Sequence, residues 1–134
     1  MSIEKIEDYL IKIREKESFI SPDVLLAIEY DNNTKDTWVE IENNEFTSLC
    51  PMTGLPDFGT IRIDYLPRKK IVELKSLKYY FLQFRNAGIF YENLTKLISS
   101  HLVKCLDPYE LIVEAEFTPR GGINSKVSST YKRK

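Results

Sequence analysis

The sequence predicts an α+β fold, in which an antiparallel sheet carries two consecutive helices on one face. Segments 37–42, 60–66 and 111–117 alternate apolar and polar residues, the period of a half-buried strand. Between the second and third of these the period lengthens to three and four. It runs first through Leu74, Leu77, Phe81 and Phe84, then through Leu94, Leu97, Ile98, Leu102 and Cys105. Strands, a helix pair and a further strand suit an antiparallel sheet with one covered and one charged face. The charged face is expected to meet solvent or another subunit. A chain of 134 residues has the size of one domain.

From the N-terminus, Ile3, Ile6, Leu10 and Ile13 form a helical stripe over 3–17, and residues 1–20 are expected to be an N-terminal extension. Residues 24–30 read as extended or mixed, and Asp31-Asn32-Asn33 as a turn. In 37–42, Val39 and Ile41 face one way, and Trp38, Glu40 and Glu42 the other. A loop rich in turn residues spans 46–58. Ile61, Ile63 and Tyr65 then alternate with Thr60, Arg62 and Asp64. A turn at Pro67-Arg68-Lys69-Lys70 leads to a short strand over 71–74, and the first helix starts at Leu74. Asn86-Ala87-Gly88 offers its stop, and the second helix ends at Asp107-Pro108. After the strand at 111–117 and the turn-like 118–122, residues 124–134 are polar and locally basic and are expected to form a flexible tail.

Composition narrows the function classes. The chain is 43% hydrophobic and 29% charged, with net charge −1, so nothing demands a polyanionic partner. No run approaches the ~18 apolar residues of a membrane span. The first residues are charged throughout and lack the apolar stretch of a secretion signal, so a cytoplasmic location is expected. Cys50 and Cys105 are then not expected to pair, and one histidine without a Cys/His cluster gives no expectation of a metal site.

Cys105 falls on an apolar stripe and reads as a small core residue, and His101 reads as a boundary histidine. Cys50 sits before Pro51 in the turn-rich loop, and two readings stand: a structural thiol, or a nucleophilic thiolate with Asp57 nearby as acid or base. Asp57 could equally cap its own turn. Lys75, Lys78, Leu82 and Arg85 lie on one helical line, which is either a solvated cationic face or a phosphate-binding one. Arg120-Gly121-Gly122 is a second place where guanidinium and backbone could meet a phosphate. The Gly-rich fingerprint of a Rossmann nucleotide site is missing.

The stretches FTSLCPMTGLPDFGTI, ELKSLKYY and PRGG together resemble the QueF family, the NADPH-dependent 7-cyano-7-deazaguanine reductases, in its unimodular form. The likeness runs from about Ser21 to Ile123, and ELKSLKYY matches the family signature at each position. The resemblance implies a tunnelling fold (T-fold) whose sheets join between subunits into a barrel, a homo-oligomeric pentamer or decamer with sites between subunits. It implies reduction of a nitrile to an aminomethyl group with two NADPH, for queuosine in transfer RNA, on a small-molecule base with no direct nucleic-acid or membrane partner. On the matching positions Cys50 would form a thioimide with the nitrile, and Asp57 would donate the proton. Val72, Glu73, Leu74, Tyr91 and Glu92 would bind the base, and Lys75, Lys78 and Arg120 would face NADPH. The family usually has His-Glu where this chain has Tyr91-Glu92, and tyrosine is the poorer proton shuttle near neutral pH. Two other outcomes are compatible with the fold: an amidinotransferase of the QueF-like type acting on transfer RNA, against which ELKSLKYY argues, and a purine-binding protein without catalysis.

Overall fold

The computed structural model describes residues 2–6, 8 and 19–134 of the chain. Residues 3–6 and 8 are helical, while Leu10 and Ile13 of the N-terminal stripe lie outside the described residues. Where the extension meets the domain it is not peripheral, because Ile20 is buried in the core beside Leu25.

From residue 19 onward the described residues form six strands and two helices. They are β1 (Ala27–Glu29), β2 (Val39–Leu49), β3 (Pro56–Leu66), β4 (Lys70–Val72), α1 (Leu74–Leu82), α2 (Tyr91–Leu106), β5 (Glu110–Arg120) and β6 (Ile123–Lys132). Short 3-10 turns occupy Pro22–Val24 and Gln83–Asn86. The main sheet is antiparallel in the order β2-β3-β5-β6, and β1 pairs with β4 in a separate ribbon. The α+β class therefore stands. Among the described residues no helix is long and apolar enough to cross a membrane.

One face of the sheet is the core. Ile61, Ile63 and Tyr65 on β3, and Leu111, Val113, Ala115 and Phe117 on β5, are buried at every second position. Against them pack Leu94, Ile98, Leu102 and Leu106 of α2, with Leu77, Tyr80, Phe81 and Phe84 from α1 and the turn behind it. Phe46 of β2 holds the second group, with ring centroids 5.9 Å from Phe81 and 5.4 Å from Phe84. Leu74, expected on this stripe, is 62% exposed: as the first residue of α1 it precedes the buried face, which starts at Ser76 and Leu77. The other sheet face is ionic, with Arg62 Nη1 3.1 Å from Glu114 and 3.0 Å from Glu116.

The expectation for the C-terminus is corrected. Residues expected as a flexible tail form β6, paired along β5 from Arg120↔Ile123 to Glu110↔Lys132. This strand buries no side chain fully, so its sequence carries little apolar signal. Backbone pairing, α2 packed across it, Tyr131 against the core and Lys126 and Lys132 facing β5 carboxylates hold it instead.

Two β-bulges decide which side chains reach the inner face at one end of the sheet. In β2 the register slips by one residue between Asn43↔Ile61 and Phe46↔Gly59. In β5 it slips between Phe117↔Ser125 and Arg120↔Ile123. One extra residue swaps the faces of everything beyond it. Val39 and Ile41 touch the core at odd positions, but past the bulge the buried residues are Phe46, Ser48 and Cys50. The bulge in β5 likewise returns Arg120 to the face of Phe117.

Candidate active site

The turn-rich stretch expected as a loop over 46–58 is mostly hairpin. β2 runs to Leu49 and β3 starts at Pro56, so only 50–55 bridge them. Asp57 is therefore a strand residue, not part of the loop, and pairs with Ser48. Cys50 is closed into the bridge by two backbone bonds, its N–H donating to Leu55 O and Gly54 N–H donating to its carbonyl, each at 2.8 Å. Gly54 takes φ 73°, a left-handed conformation that side chains other than hydrogen disfavour. Cys50 is 8% exposed and Asp57 4%, so the two chemical groups are sheltered at one end of the sheet.

The start of α2 is docked to the same place. Leu49 N–H donates to Ala87 O at 2.9 Å, and Ile89 N–H donates back to Leu49 O at 3.2 Å. This parallel bridge fixes the chain entering α2 beside Cys50. Tyr91 then stacks on Phe117, with centroids 3.7 Å apart and planes at 5°. Phe117 lies where Gly59 has no side chain: a Cβ there would come within 2.7 Å of both Glu116 O and the Phe117 ring. The order of dependence runs from Gly59 to Phe117 to Tyr91.

Arg120 closes the cluster from β5. Its half-exposed guanidinium faces the buried Asp57 carboxylate. Burial pushes the Cys50 thiol up. Hydrogen bonds from the Thr53 hydroxyl and amide, from Arg120 and from the Met52 amide more than offset it, bringing the pKa to about 7. Burial raises the Tyr91 phenol, and the nearby Cys50 and Glu92 charges push it the same way. The site thus holds a cysteine that ionises near neutral pH beside a protonated phenol, with Asp57 and Arg120 facing each other next to them. Such a set can add sulfur to an electrophilic carbon.

The remaining expected residues lie elsewhere in the chain. Val72 is buried, its N–H donating to the Tyr65 hydroxyl at 3.0 Å. Glu73 caps α1, its carboxylate accepting from the amides of Lys75 at 2.8 Å and Ser76 at 2.7 Å. The Ser76 and Lys75 amides hold that carboxyl below its ordinary range. Leu74, Lys75 and Lys78 are exposed, and Leu74 and Lys78 line an open groove of about 390 Å³ between β2 and α1. Ile41, Leu77, Phe81 and Leu82 give it an apolar floor, and Arg85 joins Lys78 at its edge. Glu42, Asn43, Asn44 and Glu45 of β2 form its other edge, so the groove offers cations on one side and carboxylates and amides on the other. Cys50 does not line this groove. Glu92 is exposed in the first turn of α2, on the Cys50 side.

Sequence reasoning misses three contributors. Thr53 reads only as turn chemistry, although a hydroxyl three residues past Cys50 in a turn is an available signal. Ser48, fully buried and without a hydrogen-bond partner, leaves no signal because a bulge determines its face. Phe117 reads as strand core, while its stacking on Tyr91 depends on Gly59. Cys105 carries a free thiol partly buried on α2, with burial raising its pKa.

Comparison with known proteins bears directly on this arrangement. A family model described as QueF-like protein matches residues 56–134. A protein of Chloroherpeton thalassium, named NADPH-dependent 7-cyano-7-deazaguanine reductase, is 52% identical over 113 residues, which cover 84% of this chain and 97% of that protein. One of the same name from Pelodictyon phaeoclathratiforme is 58% identical over 106 residues, covering 78% of this chain and 91% of the relative. In fold, the chain is similar to the apo crystal structure of the archaeosine synthase QueF-Like, with TM-score 0.65 over 69% of this chain and 91% of that one, at 18% identity. A family match over more than half of the chain, together with relatives this similar over most of its length, shows that the chain belongs to the QueF-like family.

Proposed function

We propose that this protein is an NADPH-dependent nitrile reductase that converts 7-cyano-7-deazaguanine to its 7-aminomethyl form, in the cytoplasm, on the way to queuosine in transfer RNA. The observation that carries the reading is Cys50: sheltered, next to Asp57 on one hairpin, and poised to ionise near pH 7. Relatives with 52–58% identity bear the name of this activity.

In this reading the Cys50 sulfur forms a bond to the nitrile carbon while one C–N π bond opens. Asp57 takes up the proton that the Cys50 thiol loses and passes it to the nitrogen, leaving a thioimide. NADPH, when bound, supplies hydride to that carbon. Departure of the Cys50 thiolate then gives an imine, which a second hydride and a proton reduce to the amine. Two hydrides and two protons account for the four electrons. Glu92 accepts hydrogen bonds from the N–H edge of the base, and the backbone of Val72 to Leu74 completes the recognition. With Glu73 occupied as a helix cap, its part there falls to main-chain atoms. Tyr91 stacks and donates a hydrogen bond but does not shuttle protons. Lys75, Lys78 and Arg120 hold the phosphates.

Cys50 does not line the groove that holds Lys78, which favours sites made between copies. Among the described residues, β2 and β6 are the two edges of the main sheet. Exposed Glu40, Glu42 and Glu45 mark the first, and Lys126, Lys132 and Lys134 the second. Head-to-tail pairing of unlike edges closes into a ring, the barrel of a tunnelling fold in a pentamer or stacked decamer.

Purified protein with 7-cyano-7-deazaguanine is expected to consume two NADPH per nitrile. Cys50→Ala is expected to consume none and to form no covalent adduct by intact mass spectrometry. Wild-type protein that oxidises no NADPH rejects the proposal.

A further inference from the structure

We infer that Phe117 is a positioning residue for recognition of the base: by stacking on Tyr91 it sets the first turn of α2, and with it the direction of the Glu92 carboxylate. The inference rests on Glu92 binding the base in the proposed nitrile reduction.

The start of α2 lacks the usual restraint. Its N-cap is Phe90, which offers no side-chain acceptor to the amides of the first turn. The Leu49–Gly88 bridge fixes the chain as far as Ile89, whose N–H donates to Leu49 O at 3.2 Å. Past that point the rotation of the first turn about the helix axis is left to side chains. Thr95 Oγ1 donates to Tyr91 O at 2.7 Å, but this bond lies within the helix and rotates with it. Tyr91 meets the sheet through the ring of Phe117, with 3.7 Å between centroids and 5° between planes.

Phe117 is an anchor that cannot give way. It is 3% exposed, its ring lies over Gly59 on the neighbouring strand, and Phe46 meets it from the core at 6.3 Å and 76°. Phe46, Phe117 and Tyr91 thus form an aromatic line from the core to the site. Successive residues of a helix point about 100° apart, so a fixed Tyr91 ring fixes the direction of Glu92 one residue on. Glu92 is exposed, and its aim comes from the helix turn that carries it. In this role position 91 supplies a flat ring, and its hydroxyl is secondary.

The test is a double-mutant cycle on base binding. Non-covalent affinity for 7-cyano-7-deazaguanine is read by isothermal titration calorimetry in the Cys50→Ala protein, with Phe117→Leu and Glu92→Ala introduced singly and together. Leucine stays apolar but has no flat face. Phe117→Leu is expected to weaken binding about tenfold when Glu92 is present, and by less than about twofold when it is replaced. Tyr91→Leu removes the stack from its half-buried partner and is expected to weaken binding about as much. Tyr91→Phe keeps the ring and is expected to stay within about threefold, the loss of one hydroxyl bond. A folded Phe117→Leu protein that binds as tightly as its parent overturns the inference. So does a loss that is the same with and without Glu92, which is what a general loosening of the core produces. Should Phe117→Leu not fold, the two Tyr91 variants decide, and equal affinities for them overturn the inference. Binding to the Cys50→Ala protein needs neither adduct nor NADPH. Coupling between Phe117 and Glu92 in a protein whose wild type never oxidises NADPH keeps Phe117 and rejects the reductase. NADPH consumption without that coupling rejects Phe117 alone, and a protein that does not bind the base overturns the inference as well.

Discussion

At the Cys50 end of the sheet, β2, β3, β5 and α2 converge on one sheltered sulfur. At the start of α1, Val72, Glu73, Ser76 and Leu77 serve the fold, while Leu74, Lys75 and Lys78 are exposed. The polar atoms show the difference. Around Cys50, Thr53, Arg120 and the Met52 amide lower the thiol pKa against the effect of burial, and Arg120 also faces Asp57. Around Glu73, the carboxylate and the Ser76 hydroxyl are spent on holding the helix start, and Lys75 and Lys78 extend into solvent. A reactive group has to be tuned before substrate arrives, so its neighbours must be built in. A charged phosphate needs only flexible cations at the surface.

The largest effect that probes this contrast is expected at Gly59. An added methyl would press on a main-chain oxygen and an aromatic ring, neither of which is the loose end of a side chain. Gly59→Ala is expected to cost about 2 kcal/mol of stability through overpacking. It should also displace Phe117 and with it Tyr91, so kcat should fall more than KM for NADPH rises. Thermal unfolding alongside steady-state kinetics checks both. An unchanged kcat would mean that the Cys50 end tolerates disorder in its supports, and the contrast between a tuned end and a loose one would lose its basis.

Much of the molecule is legible in the sequence, and the failures share a cause. Alternation places β3 and β5 because Ile61, Ile63, Tyr65, Leu111, Val113 and Ala115 never change face. The same rule stops β2 at 42, since its bulge moves burial from odd to even positions. Seven residues of strand, Ser48 among them, are lost to that one insertion. β6 is invisible because a strand that buries its backbone more than its side chains looks like a tail. Cys50 and Asp57 stand out through turn chemistry and family likeness, but their neighbour Arg120 is assigned by sequence only to the cofactor. Its place beside Asp57 depends on the second bulge, which no local pattern announces.

A smaller effect separates the two acidic residues proposed for the base. Glu73→Ala removes the cap of α1 and should lower Tm by a few degrees, with KM for the nitrile rising little, because main-chain atoms do the binding there. Glu92→Ala should leave Tm near wild type and raise KM about tenfold or more, as a carboxylate with two hydrogen bonds to the base is lost. A Glu73→Ala protein with normal Tm and a high KM would place Glu73 on the ligand side of the contrast.

The smallest effect concerns the bond that ties the two regions together. Tyr80, on α1, is fully buried and lies 2.7 Å from His101 Nδ1 on α2. Burial raises the Tyr80 phenol strongly, so it keeps its proton, and with His101 in the tautomer protonated on Nε2 it donates that proton to Nδ1. That requires neutral His101, and burial together with the Lys104 charge does lower its pKa. The folded protein therefore resists a proton that the unfolded chain accepts near pH 6.5. The stability from this bond is complete above that value and is lost as pH falls through it toward the lower folded pKa. Tm is expected to drop from pH 7.5 to 5.5, and His101→Gln, whose side-chain oxygen can still accept from Tyr80, should drop less. Cys50 alkylation at pH 7 should be the same in both proteins, because the bond joins the helices at a distance from the sulfur. Equal slopes of Tm against pH would show that the helix pair is held without this bond, and that the two regions are coupled through the sheet and its aromatic core alone.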